Sequence, residues 1–86
     1  MTITALAMPA APRQFAIVLD EDDDQYAEYL DCCRPTDPVL WWGCAVDGRA
    51  LLYRLAEGRL DTSRHTSPES ALAMWERIYP VKLVWL

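Results

Sequence analysis

VLWWGCAVDGRALLYRLAEGRLDTSRHT, residues 39–66, is the stretch that decides the fold. It divides into residues 39–46, Asp47-Gly48, residues 49–56, Glu57-Gly58 and residues 59–66. Three segments of strand length are separated by two dipeptides that end in glycine. An Asp-Gly pair between apolar runs is a strong signal for a two-residue hairpin loop, and Glu57-Gly58 marks a second reversal. The stretch therefore predicts two successive β-hairpins.

The three segments differ in how much apolar surface they carry. Val39–Val46 is apolar on both of its alternating faces, which is typical of a central strand or of a strand with an interaction surface on one side. Residues 59–66 are polar and β-compatible, which favours an edge position. Trp41 and Trp42 are adjacent in a strand, so their side chains point to opposite faces. One belongs to the core, and the other is either covered by a further element or exposed as an anchor for a partner.

Apolar periodicity predicts two more strands and two helices around this stretch. Residues 15–19 read as a buried strand, and residues 81–86 as a final strand. A first helix begins at Asp23 or Asp24 and ends at Pro35. Ser67-Pro68 begins a second helix, with serine as the N-cap. The first helix buries Tyr26, Tyr29, Leu30 and Cys33, and the second buries Leu72, Trp75, Ile78 and Tyr79 with Ala71 and Met74 beside them.

The predicted order is β-α-β-β-β-α-β in a single α+β domain, with two helices on one face of a mostly antiparallel sheet. A ferredoxin-like variant is the nearest common architecture. Residues 1–13 are predicted to be a flexible N-terminal arm, and residues 14–86 the folded domain.

Charge is concentrated in one part of the chain. Residues 20–37 contain eight acids and one arginine, a net charge of −7, whereas the rest of the chain carries +2. Such a surface repels nucleic acid and attracts basic proteins, with an attraction that weakens as salt rises. The predicted partner-binding residues are Asp20, Glu21, Asp22, Asp23, Asp24, Glu28 and Asp31, together with Trp42 as the aromatic anchor.

Two other interpretations of the acidic segment stay open at this stage. The helix dipole favours carboxylates at a helix N-terminus, so local stability explains some of them. The spacing also partly matches a calcium-binding EF-hand loop, but Gln25 replaces the required glycine and Asp31 the bidentate glutamate. We therefore predict no metal site.

Little in the sequence supports catalysis. His65 is the only histidine, and the serines near it in sequence do not by themselves make a triad. Cys32-Cys33 lacks the spacer of a redox motif, and the three glycines are isolated. We predict no catalytic residue and no cofactor. Arg49, Arg54, Arg59 and Arg64 recur every five residues, so folding of the hairpins is expected to gather them on one side or to pair them with acids across strands.

In its short length, single domain and concentrated carboxylates at Asp20–Asp37, the chain resembles the small acidic inhibitors of phages and mobile elements, including anti-CRISPR proteins that mimic nucleic acid. The resemblance implies a non-enzymatic protein that occupies a basic, nucleic-acid-binding surface of a defence complex. The alternative is an oligomeric assembly module that uses an exposed tryptophan and the edge strand at residues 59–66.

Cysteine usage and hydropathy indicate where in the cell the protein is located. Three cysteines, two of them adjacent, do not make the disulfide framework of a secreted mini-protein. Pro9 and Pro12 interrupt the apolar N-terminal run, and no stretch has the length of a membrane span. We therefore expect a cytoplasmic protein, as a monomer or homodimer, with no membrane or direct nucleic-acid partner.

Overall fold

The computed structural model describes residues 11–24, 26 and 38–86. Its elements are β1 (Arg13–Leu19), β2 (Val39–Val46), β3 (Arg49–Ala56), β4 (Arg59–His65), helix α1 (Pro68–Glu76) and β5 (Val81–Trp85). The strands form one five-stranded sheet in the order β4-β3-β2-β1-β5. All of these pairings are antiparallel. The single α+β domain with a mostly antiparallel sheet is confirmed.

Both predicted hairpins are present, and their loops explain why. Asp47 and Gly48 have φ angles of 50° and 77°, and Glu57 and Gly58 have 53° and 75°. Positive φ at both central residues is the mark of the type I′ turn, whose twist matches that of the flanking strands. β4 lies at one edge of the sheet, as predicted from its polar sequence.

The ferredoxin-like arrangement is not confirmed. A ferredoxin-like fold contains split β-α-β units, whose crossover joins parallel strands. Here β1 is the antiparallel neighbour of both β2 and β5. The β1–β2 register shifts between Ile17 and Val18, where the partner changes from Trp41 to Val39. Strands β1 to β4 therefore form a meander, in which each strand pairs with the next one in sequence. β5 pairs with the other side of β1 and forms the second edge of the described sheet.

Helix α1 begins as predicted. The Ser67 side chain accepts a hydrogen bond from the backbone N–H of Ser70 at 3.0 Å, and proline stands at the start of the helix. Serine satisfies a backbone donor that the first helical turn leaves without a partner. The helix ends at Glu76, earlier than the apolar pattern indicated.

The buried stripe of α1 is partly different from the prediction. Ala71 is fully buried, and Leu72, Trp75 and Tyr79 pack against the core. Ile78 is 59% exposed, so its predicted burial is wrong. Ile78 lies beyond the helix end, in a turn where its backbone N–H donates to the Trp75 carbonyl three residues earlier and not to the carbonyl four residues earlier, as it would in an α-helix. Met74, predicted beside the stripe, is also exposed.

The first predicted helix lies almost wholly outside the described residues, which omit residues 25 and 27–37. Of the predicted helix the structure describes Asp23 and Asp24, which lie in a bend and a turn, and Tyr26, which is helical, half-buried and packed against the core. The placement of two helices on one face is therefore not confirmed. Residues 1–10 of the predicted arm also lie outside the described part, and β1 begins at Arg13.

The core lies between α1 and one face of the sheet. β1 contributes every second residue to it, and the neighbouring strands and α1 contribute the rest: Phe15, Ile17, Leu19, Trp41, Ala50, Leu52, Ala71 and Val81. The opposite side of the sheet, called the open face below, is not covered by any described helix. By strand alternation and register, it carries Ala16, Val18, Trp42, Cys44, Val46, Arg49, Leu51, Tyr53, Leu55, Leu60, Thr62, Arg64, Lys82 and Val84.

Candidate interaction surfaces

Asp20–Asp24 form an exposed turn directly after β1, called the acidic turn below. Asp20 organises it. Its Oδ1 accepts a hydrogen bond from the backbone N–H of Asp22 at 3.0 Å, and its carbonyl accepts one from Asp23 at 3.2 Å. This is the Asx-type turn that aspartate side chains favour. The structure therefore assigns Asp20 a local role in shaping the turn.

The acidic turn is bonded to the domain at its start, and Tyr26, which follows it, packs against the core. The Asp20 N–H donates to the Pro80 carbonyl at 2.8 Å, and the Tyr26 N–H donates to the Asp23 carbonyl at 3.0 Å. Lys82 Nζ lies 3.9 Å from Asp20 Oδ1, a contact between partly exposed groups. An ion pair of this kind contributes little to stability.

Four of the predicted docking residues are exposed in this turn: Glu21, Asp22, Asp23 and Asp24. Asp20 is half-buried. Glu28 and Asp31 lie outside the described residues. In the described part of the chain, the side chains of Glu21, Asp22 and Asp24 form no hydrogen bond and no ion pair. The described hydrogen bonds and ion pairs therefore give these three charges no structural role.

The two adjacent tryptophans separate as predicted. Trp41 is 4% exposed and belongs to the core, whereas Trp42 is 42% exposed on the open face. Trp41 packs against Trp75 with ring centroids 5.3 Å apart. Trp42 is thus the solvent-exposed member of the pair.

Trp42 belongs to a larger apolar surface that the sequence analysis missed. Leu55 is 76% exposed and Leu60 is 67% exposed, and they are directly paired across β3 and β4. An antiparallel sheet with a solvent-facing side normally places polar residues there. Strand alternation places Leu51, Tyr53 and Leu55 on one face of β3. The side on which α1 packs decides whether that face meets the core or the solvent.

The four regularly spaced arginines are not gathered on one side, so that expectation is wrong. A spacing of five is odd, and side chains of one strand alternate between faces. Arg49 and Arg54 of β3 therefore lie on opposite faces, as do Arg59 and Arg64 of β4. The alternative, pairing with an acid across strands, is confirmed for Arg54, whose Nε lies 3.5 Å from Asp61 Oδ2.

Arg54 also covers the core tryptophan. Its Cζ lies 4.2 Å from the centroid of the Trp41 ring, a cation–π arrangement. Arg49 and Arg64 instead line a groove of about 680 Å³ on the open face, with Cys44, Val46 and Leu51 among its walls. Neither of these arginines has an ion-pair partner among the described residues.

His65 lies on β4 and is half-buried, with Nε2 2.8 Å from Ser63 Oγ. The two residues share a face because they are two apart in a strand. Asp61 shares that face but pairs with Arg54. The described residues thus place a serine beside the histidine, but within the described part of the chain no carboxylate hydrogen-bonds to His65 to orient it as in a catalytic triad.

Cys32 and Cys33 lie outside the described residues, and Cys44 is a half-buried free thiol. Across residues 11–24, 26 and 38–86, no three histidine, cysteine or acidic side chains are arranged to hold a metal ion. Within the same ranges, no helix combines the length and hydropathy that crossing a membrane requires.

Comparisons with protein-family models, curated proteins and solved structures found no match for this chain. Its two exposed surfaces, the acidic turn and the open face, are therefore the basis for any functional proposal.

Proposed function

We propose that this chain is a non-enzymatic binding protein whose acidic turn occupies a basic, nucleic-acid-binding surface of a partner protein and inhibits it, in the manner of anti-CRISPR proteins. The observation that carries the proposal is the surplus of carboxylates in the turn. One aspartate is enough to shape it, yet Glu21, Asp22 and Asp24 add three exposed acids whose side chains form no hydrogen bond or ion pair with the described residues.

The position of the turn supports this role. The hydrogen bond from Asp20 to Pro80 holds the start of its backbone, and the packing of Tyr26 against the core holds its end. A held turn loses less conformational entropy on binding than a free acidic tail does. Closely spaced carboxylates attract lysine and arginine side chains, and they compete with phosphates for the same groups.

The test begins with capture of a partner from the native host on the immobilised full chain, followed by its identification. Affinity is then measured for the wild type and for Glu21→Gln/Asp22→Asn/Asp24→Asn. These three positions are chosen because Asp20 and Asp23 take part in local structure. We expect the variant to bind about tenfold more weakly or worse, with wild-type affinity falling as salt rises.

The matched control is Asp47→Asn/Glu69→Gln/Glu76→Gln, which removes the same number of charges from exposed positions elsewhere. Its affinity should stay close to that of the wild type. Equal weakening in both triple variants would mean that only net charge matters. Failure of the partner's nucleic acid to compete with this chain would also contradict the proposal.

A second candidate function is an assembly module, which the exposure of Trp42, Leu55 and Leu60 on the open face favours. Contiguous exposed apolar surface in a small domain is typical of an interaction site.

A further inference from the structure

The open face has the composition of an interface and not of a solvated sheet surface. Besides Leu55 and Leu60, it exposes Trp42, Val46 and Val84, each between 36% and 42% exposed. Leu51, Tyr53 and Cys44 fill the space between them and are half-buried. Trp42, Leu51 and Tyr53 lie near the centre of the face and charged residues lie at its ends, which is the usual anatomy of a protein interface.

We propose that the open face is the surface on which a second copy of this chain packs, forming a two-fold symmetric dimer with opposite ends of the sheets together. The inference deepens the second candidate function by naming the partner and its orientation. Two sheets packed face to face form a sandwich, in which each buries the apolar side of the other.

The charges at the two ends of the open face decide the orientation. At one end, Arg49 and Arg64 line the groove described above. Their two positive charges exceed the single negative charge of Asp47 in the adjacent turn. The strand register places the acidic turn and Glu57 at the other end. Lys82 lies at this acidic end too, but it faces Asp20.

A two-fold interface brings the same patch of both copies together. If the axis ran along the strands, the acidic turn of one copy would meet that of the other, and the arginines would meet arginines. An axis across the strands instead places Arg49 and Arg64 opposite the acidic end of the second copy. Opposite charges then flank the apolar centre on both sides, which favours this orientation.

The size of the face agrees with a small dimer. Five strands spaced about 4.8 Å apart, each about seven residues long at about 3.3 Å per residue, span an area of about 550 Å². Side chains make the accessible surface larger than this flat area. Specific interfaces begin at about 600 Å² per partner. The whole open face is therefore needed, and loss of one apolar pair should be enough to separate the copies.

The first test is sedimentation equilibrium of the full chain over about a hundredfold range of protein concentration. The wild type should shift from monomer to dimer. Leu55→Lys/Leu60→Lys changes two highly exposed residues, so it should fold normally but dimerise at least about tenfold more weakly. The control Met74→Lys/Ile78→Lys makes the same kind of change at an exposed residue of α1 and at one in the turn that follows it, and it should dimerise like the wild type.

The second test exchanges charges between the ends. Arg49→Glu/Arg64→Glu and Asp22→Lys/Glu57→Lys should each dimerise poorly alone, because like charges then meet at both ends. An equimolar mixture should restore dimers, since both contacts become attractive in the mixed pair. Single variants that each dimerise as well as the wild type would overturn the opposite-end orientation, because like charges would meet in the wild type too if the same ends were together. A mixture that stays monomeric while the wild type dimerises would show that the end charges do not act across the interface.

A monomeric wild type at every concentration would overturn the dimer itself, as would an unchanged association constant in Leu55→Lys/Leu60→Lys. These results are separable from the docking proposal. The Leu55→Lys/Leu60→Lys variant keeps its acidic turn, so its binding to a captured basic partner reports on docking alone.

Discussion

At the scale of single residues, Gly43 is constrained by one neighbour. It lies opposite Phe15 in the β1–β2 pairing, and the phenyl ring of Phe15 occupies the space beside its Cα. A Cβ at this position would come closer than 3.0 Å to three ring carbons. Phe15 is fully buried, so its ring has no free volume to move into without disturbing the core.

We therefore expect Gly43→Ala to lower the free energy of unfolding by about 1–3 kcal/mol, as overpacking does. Urea unfolding followed by tryptophan fluorescence measures this change. Because the ring causes the clash, Gly43→Ala should cost less in a Phe15→Leu background. Strictly additive effects of the two substitutions would show that the phenyl ring is not the obstacle.

At the scale of secondary-structure elements, the start of α1 depends on a single side chain. Ser67→Ala should lower the free energy of unfolding by about 1 kcal/mol, because the Ser70 N–H loses its acceptor. Ser70→Ala is the matched control, since it removes an exposed hydroxyl and keeps the backbone donor. The same urea titration compares them. A cost for Ser70→Ala as large as that for Ser67→Ala would argue against the cap.

The elements that could be predicted from sequence are those with local causes. Two glycine-containing turns define both hairpins, and a serine-proline pair defines the helix start. The end of α1 could not be predicted, because the apolar pattern continues through Ile78 while the backbone turns after Glu76. The pairing of β1 with β2 and β5 could not be predicted either, because it joins segments that are far apart in sequence.

At the scale of the whole molecule, strand register separates charges that look intermixed in sequence. The acidic turn was predictable as an exposed feature at a strand end, because charges follow directly after an apolar run. The position of Arg49 and Arg64 at the opposite end of the open face could not be predicted, because it depends on the register of three strands. Strand alternation predicts that Trp41 and Trp42 lie on opposite faces, but it does not show which of the two is exposed.

The position of β1 between β2 and β5 has a consequence for how the chain folds. Phe15 pairs with Gly43 on one side and with Trp85 on the other, a contact between residues 70 positions apart. Contacts that are distant in sequence form slowly, because the loop between them must first be closed. The hairpins of β2, β3 and β4 need only short loops, so they should form before β5 docks.

This order predicts different kinetic effects for two core truncations. Leu52→Ala, within the hairpins, should slow folding, whereas Val81→Ala in β5 should mainly speed unfolding. Stopped-flow fluorescence in a denaturant series separates the two rates, and equal slowing of folding by both substitutions would contradict the order. Departure of β5 would then be an early step of unfolding, and the lifetime of the native state would depend on how firmly one five-residue strand is held.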